Sequence, residues 1–186
     1  MQRLVTLAVV LMFFQQTTTT QTDSRAKLAT DITAEDIQTV LHASGGGADR
    51  QIRVVDIGKY NVSVAVLHRD KTIPGAPVGA INHERVTETY YILSGEGTLW
   101  TGGSVNEAKP VAADTEIVKV AVGPSNNATF REPAQSRKVK TGDVVIIPEG
   151  VYHGFTDVLD HIDYLSVRSD PDHFLPRGYV HPLLKK

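Results

Sequence analysis

The sequence predicts an all-β fold with a single helix packed against its outside. Short runs rich in Val, Ile, Thr and Tyr recur between clusters of Gly, Pro, Asn and Asp, which is the pattern of strands and turns. Two of these runs each carry a histidine at a strand end: His153 follows residues 144–147, and His83 with Glu88 precedes residues 90–93. Only residues 33–42 show a helical spacing of apolar side chains with start and stop signals.

The elements follow in chain order. Arg3 precedes an apolar run at 4–14, the length of a signal-peptide core and short for a bilayer span. Residues 15–22 are polar and threonine-rich, and Ser24 and Ala26 offer small side chains at cleavage spacing. Residues 1–26 are therefore expected to be a signal peptide and spacer, leading to a secreted or periplasmic location. An uncleaved anchor is the alternative. No cysteine exists to carry a lipid. Residues 27–50 form a helix and linker. Thr33 with Asp36 makes a capping box, Ile32 with Ile37 a hydrophobic staple, and Gly45 to Gly47 a stop.

Residues 51–186 are assigned to the barrel. Strands are expected at 51–57 and 61–69 around a turn at 58–60, then a loop at 71–79 containing Pro74 and Pro77. Glu88, Tyr90 and Ile92 alternate onto one face of the next strand. Residues 94–97 read as a turn returning 98–101 as a hairpin partner. An insert is expected at 103–141, with a strand at 116–122 and a mobile loop at 123–135 that either edges the pocket mouth or is equally a plain surface excursion. Closing strands occupy 158–168, and a tail at 169–186 with three prolines is expected to pack on a neighbouring subunit.

The richest stretch is Gly142-Asp-Val-Val-Ile-Ile-Pro-Glu-Gly-Val-Tyr-His153, with Asp157 beyond it. A β-branched run of this length reads as a buried strand, and Pro148 with Gly150 forces a tight reversal. A histidine aimed by so rigid a corner suits metal ligation or general-base work. A structural or simply exposed histidine is the bland alternative.

Taken together, these segments resemble the cupin superfamily. Gly142, Pro148, Gly150 and His153 stand in register with its second motif, with Asp157 in place of the final asparagine. Gly75, His83, Glu88 and Gly95 fit the first motif, but Ile81 stands where its first histidine belongs. The resemblance covers residues 75–157 and implies a double-stranded β-helix, a jelly-roll barrel with its site inside the mouth. It implies that His83, Glu88 and His153 are metal ligands. Two imidazoles and a carboxylate suit one divalent transition metal: zinc, iron, manganese, nickel or copper. His68 could replace the missing ligand, although a histidine at a strand end is commonly a surface residue. Strand parity adds Ile81, Tyr90 and Phe155 as pocket walls for a small-molecule ligand. Tyr90 is a candidate catalytic proton donor, or equally an amphipathic wall residue. A homodimer is expected by analogy with the family.

Other classes recede. His83-Glu84 begins like a zinc-protease helix, but Thr87 occupies the second histidine's position on a strand-like segment. A net charge of −2 offers no basic surface for nucleic acid, and no basic run suggests membrane attachment once a signal is removed. The absence of cysteine excludes disulfides and thiolate catalysis. Two functions remain. One is a metalloenzyme acting on a small oxygen-rich molecule, with lyase, isomerase or oxygenase chemistry open. The other is a non-catalytic small-ligand or metal-binding barrel with a degenerate site. A seed-storage-like role is weaker, because the chain has one barrel rather than two.

Overall fold

The computed structural model describes residues 25–45 and 47–185; the expected signal segment lies almost entirely outside the described residues. One helix, α1 (Ala34–Leu41), precedes ten strands: β1 (Asp49–Asp56), β2 (Asn61–Asp70), β3 (Gly79–His83), β4 (Thr87–Thr101), β5 (Ser104–Pro110), β6 (Ser125–Glu132), β7 (Gln135–Lys140), β8 (Val144–Ile147), β9 (His153–Thr156) and β10 (His161–Asp170). All pairings are antiparallel. One sheet runs β1-β2-β10-β4-β8, and the other runs β7-β4-β9-β3-β6-β5. This is a double-stranded β-helix, with strand β4 belonging to both sheets.

Strand β4 corrects one expectation. Residues 94–97 do not turn; the strand runs fifteen residues without reversal. Its first half pairs with β10 and β8, its second with β7 and β9. The change of sheet happens at Gly95, which has φ +74° and lies so close to β10 that a Cβ there would stand 2.0 Å from the His161 carbonyl oxygen. A glycine inside a strand marks such a bend or close approach as readily as a turn.

The stretch 103–141 holds strands β5, β6 and β7, and β6 pairs with β3 beside the site, so it is barrel wall rather than insert. Residues 123–135, expected as a mobile loop, are mostly β6. The strand expected at 116–122 is a π-helical turn, Ile117–Val122. There Val118, Ala121 and Val122 are buried at i, i+3 and i+4. That spacing places them on one helical face, and packing overrides the β preference of a Val-rich run. Strand β8 is buried on one face alone: Val145 and Ile147 point in, Val144 and Ile146 out.

The capping box forms as expected. Asp36 N donates to Thr33 Oγ1 and Thr33 N donates to Asp36 Oδ2, both at 3.1 Å. Ile32, Ile37, Val40 and Leu41 pack with Ile52 and Val66 on the outside of the β1–β2 pair. The tail folds back along its own chain. Gly178 N donates to Val54 O, His181 N to Ile52 O, and Leu175 is buried.

Candidate metal centre

Three strands bring the site together. Glu88 begins the inward face of β4 and is followed on that face by Tyr90 and Ile92, all buried. His83 ends β3, and His153 begins β9. These two strands meet with Ile81 opposite His153. The Pro148–Gly150 corner is fastened to the end of β3: Gly150 N donates to His83 O at 2.7 Å, and Asn82 Nδ2 donates to Gly150 O at 3.2 Å. Gly150 has φ +77°, a conformation few other residues accept. The corner thus fixes both histidines with one set of bonds.

His83, Glu88 and His153 each offer one ligand atom, and the three atoms lie within 4.8 Å of one another. His83 Nε2 is 3.2 Å from Glu88 Oε2, and His153 Nε2 is 3.1 Å from the same oxygen. The far side of each ring is already committed. His153 Nδ1 can only donate to Val151 O, at 3.0 Å. Ser125 Oγ donates to Gly123 O, so it accepts from His83 Nδ1 at 2.8 Å. Both imidazoles therefore turn a bare Nε2 lone pair toward the carboxylate, the arrangement that orients metal-ligating histidines.

Glu88 is held just as tightly. Its Oε1 accepts from Ser166 Oγ at 2.7 Å and from Arg168 Nε at 2.9 Å, while Tyr90 Oη donates to Oε2 at 3.0 Å. Burial alone would raise this carboxyl, but facing positive charge, from His83 when protonated and from Arg168 throughout, outweighs it and holds it well below the usual carboxylate range. Burial lowers the His83 imidazole against the opposing pull of Glu88, which favours its neutral form. Burial and the Glu88 charge push the Tyr90 hydroxyl well up, so it stays protonated as a donor.

Three acceptors facing one another repel unless a cation lies between them. His153 Nε2 is buried without a hydrogen-bond partner. Metal–ligand bonds of about 2.0–2.2 Å place neighbouring ligand atoms about 3.0–3.5 Å apart, and the 3.1 and 3.2 Å separations match. The donor set fits a divalent transition metal.

His68 lies elsewhere. Its ring contacts Asp163 at 2.6 Å and Asp70 at 3.3 Å and stacks on His161, outside the three-ligand group. Ile81 and Phe155 line a cavity of about 360 Å³ with His153, Arg69 and Asn127. Tyr90 sits behind that surface, its hydroxyl committed to Glu88 and its ring packed on Tyr164 and Phe155.

Sequence reasoning missed Arg168. It is wholly buried, donates to Glu88, Gln51 Oε1 and Ala121 O, and forms a very short contact with Asp49. Asp49 and Glu88 hold it above even the usual guanidinium range although burial opposes them. Ser166 and Ser125 were missed as well. The strand pattern misdirects here, because Leu165 and Val167 suggest that the opposite face of β10 is the core face. The available signal was parity: Ile162, Tyr164, Ser166, Arg168 and Asp170 alternate along one strand.

The two motif-bearing corners thus meet inside one β-helical barrel. The fold is that of a cupin. No protein-family model matches the chain, and no curated protein matches it. Solved structures similar to it include a protein of Bacillus halodurans, at 12% identity over 84% of this chain and 92% of that one, TM-score 0.47. A double-stranded β-helix protein of Klebsiella pneumoniae is 17% identical over 80% and 93%, TM-score 0.42. An RmlC-like cupin of Methanocaldococcus jannaschii is 13% identical over 70% and 88%, TM-score 0.39.

Proposed function

We propose that this cupin barrel binds one divalent transition metal through His83, Glu88 and His153 and is a metalloenzyme acting on a small oxygen-rich molecule. The observation carrying this reading is the convergence of two buried imidazole Nε2 atoms, each with its other nitrogen already hydrogen-bonded, on one carboxylate oxygen of Glu88. When bound, such an ion supplies Lewis-acid or redox chemistry to oxygen ligands. The chain's own residues prepare for that. Arg168 and Ser166 occupy Oε1 and leave Oε2 for the centre, while Ser125 and the Val151 carbonyl set the imidazole tautomers. Three protein ligands would leave coordination positions for water or substrate, as catalytic sites require. Lyase, isomerase and oxygenase chemistry all remain compatible with this arrangement.

The second reading is a non-catalytic ligand- or metal-binding barrel, favoured by the apolar Ile81 at the cavity wall where the family pattern has a ligand. Elemental analysis of the protein purified without added metal tests both. Close to one equivalent is expected in the wild type and at least about a tenfold loss in His153→Ala. No metal, with no rise in melting temperature on titration with zinc, manganese or nickel, would overturn the metalloprotein.

Export to a secreted or periplasmic location is part of the proposal, supported by the apolar run 4–14 behind Arg3. So is a homodimer, supported by exposed Tyr91, Val144 and Ile146 on adjoining strands β4 and β8. Cell fractionation and light scattering of the purified chain read these two directly.

A further inference from the structure

The inward face of strand β2 ends in a second arginine whose situation is the reverse of Arg168. Arg69 lies opposite Ile162 at the end of the β2–β10 ladder and lines the cavity that His153, Phe155, Ile81 and Asn127 share. Its Nε donates to Tyr164 Oη at 2.7 Å. Its guanidinium carbon stands 5.7 Å from the Phe155 ring centre and 6.0 Å from that of Tyr164. Among the described residues no carboxylate lies within ion-pair contact of it, Asp49 acting only at longer range, and neither terminal nitrogen has a hydrogen-bond acceptor.

A guanidinium set among aromatic rings without a counter-ion keeps part of its desolvation penalty, because ring faces compensate a cation only modestly. Stacking and the Tyr164 bond instead hold the planar fork still, with its two terminal nitrogens free for a partner. That is the geometry in which arginine takes a carboxylate through two parallel bonds. The cavity volume, about 360 Å³, lies near the lower end of small-molecule sites. His153 belongs both to this cavity and to the three-ligand group, so a molecule filling the cavity lies against one of the three ligand residues.

We propose that Arg69 is a specificity-determining residue that pairs with a carboxylate of the substrate, whose other end carries the oxygen presented to the metal. The substrate class is thus a small carboxylic acid bearing a second oxygen function. The orientation toward the metal rests on the function proposed above; the carboxylate contact does not.

Calorimetric titration of the full chain tests this with glycolate, succinate and acetate against their amides and inorganic phosphate. Each is run on chelator-stripped and zinc-loaded protein. At least one carboxylate is expected to bind the wild type, with its amide at least about tenfold weaker. Arg69→Met is expected to lose about tenfold to a hundredfold in both metal states, with Arg69→Lys between. Equal binding of acid and amide, equal binding by wild type and Arg69→Met, no carboxylate binding at all, or tighter binding of phosphate would each overturn the proposal. If Arg69→Met does not fold, Arg69→Lys and the acid–amide comparison on the wild type still decide it. The two readings fail separately. Carboxylate binding that depends on Arg69 but is indifferent to zinc would sink the metal-facing orientation alone. A zinc site lost in His153→Ala, without acid–amide discrimination, would sink the Arg69 contact alone.

Discussion

The same three strands build two opposite interiors. Along β2, β10 and β4 in register, one end stacks Ser63, Arg168 and Glu88, with Asn61 and Asp170 paired beyond them. Four residues further along, the same faces present Leu67, Tyr164 and Ile92, which join Leu99, Val139, Phe155 and Ile162 in the main apolar core. Ser166 and Tyr90, cross-strand neighbours, mark the change, and both donate to Glu88. Both ends lie on the same three antiparallel strands, although the β10–β4 register shifts between Asp163 and Tyr164 at the apolar end. What differs is how burial is compensated: by dispersion and water release at one end, by hydrogen bonds and ion pairs among ionised groups at the other. The apolar end supplies stability, and the polar end spends some of it to hold two imidazoles and a carboxylate in one arrangement.

Arg168→Met should break this contrast most strongly. It leaves buried Glu88 and partly buried Asp49 without their shared cation, a loss of about 3–5 kcal/mol in metal-free protein. Denaturant unfolding measures it, and zinc should restore part of the loss by neutralising Glu88. A variant as stable as the wild type without metal would show that the polar end is not under this tension. Ile92→Val sharpens the other side. At a wholly buried position in the apolar end it should cost about 0.5–1.5 kcal/mol with metal content unchanged. Altered metal stoichiometry would mean that the two ends are coupled.

The smallest effect belongs to a histidine outside both interiors. The Asp163 hydrogen bond, with lesser help from Asp70 and against some burial, raises His68 above its ordinary value of 6.5. A raised imidazole contributes stability that is fully present below 6.5 and lost as pH rises through the folded value. The melting-temperature gap between wild type and His68→Gln should therefore be wider at about pH 5.5 than at about pH 9. A pH-independent gap would contradict this ion pair; the interior sites, shielded from solvent, should not follow the same profile.

Much of the fold was legible because its signals are local. The capping box at Thr33, the reversal at Pro148 and Gly150, and the β-branched run at 144–147 each depend on neighbours within a few residues, and each forms where expected. Gly95 misled because a glycine in a strand-like segment has two physical uses, a turn or a close crossing, and only the position of His161 decides between them. Residues 116–122 misled because a Val-rich run follows its packing, here a turn that also delivers the Ala121 carbonyl to Arg168.

The sequence by itself determined the all-β class, the helix and its cap, and the residues in the two histidine-bearing corners, since these follow from backbone preference and spacing. Only the tertiary structure decided that β4 serves both sheets, that Arg168 and Ser166 stand behind Glu88, that His68 faces away, and that Arg69 meets Tyr164 and Phe155 rather than a carboxylate among the described residues. Those outcomes depend on pairings across as many as 119 positions of chain, as between Arg168 and Asp49. Over such separations a side chain's role is set by what the closed barrel places opposite it, which no local pattern carries.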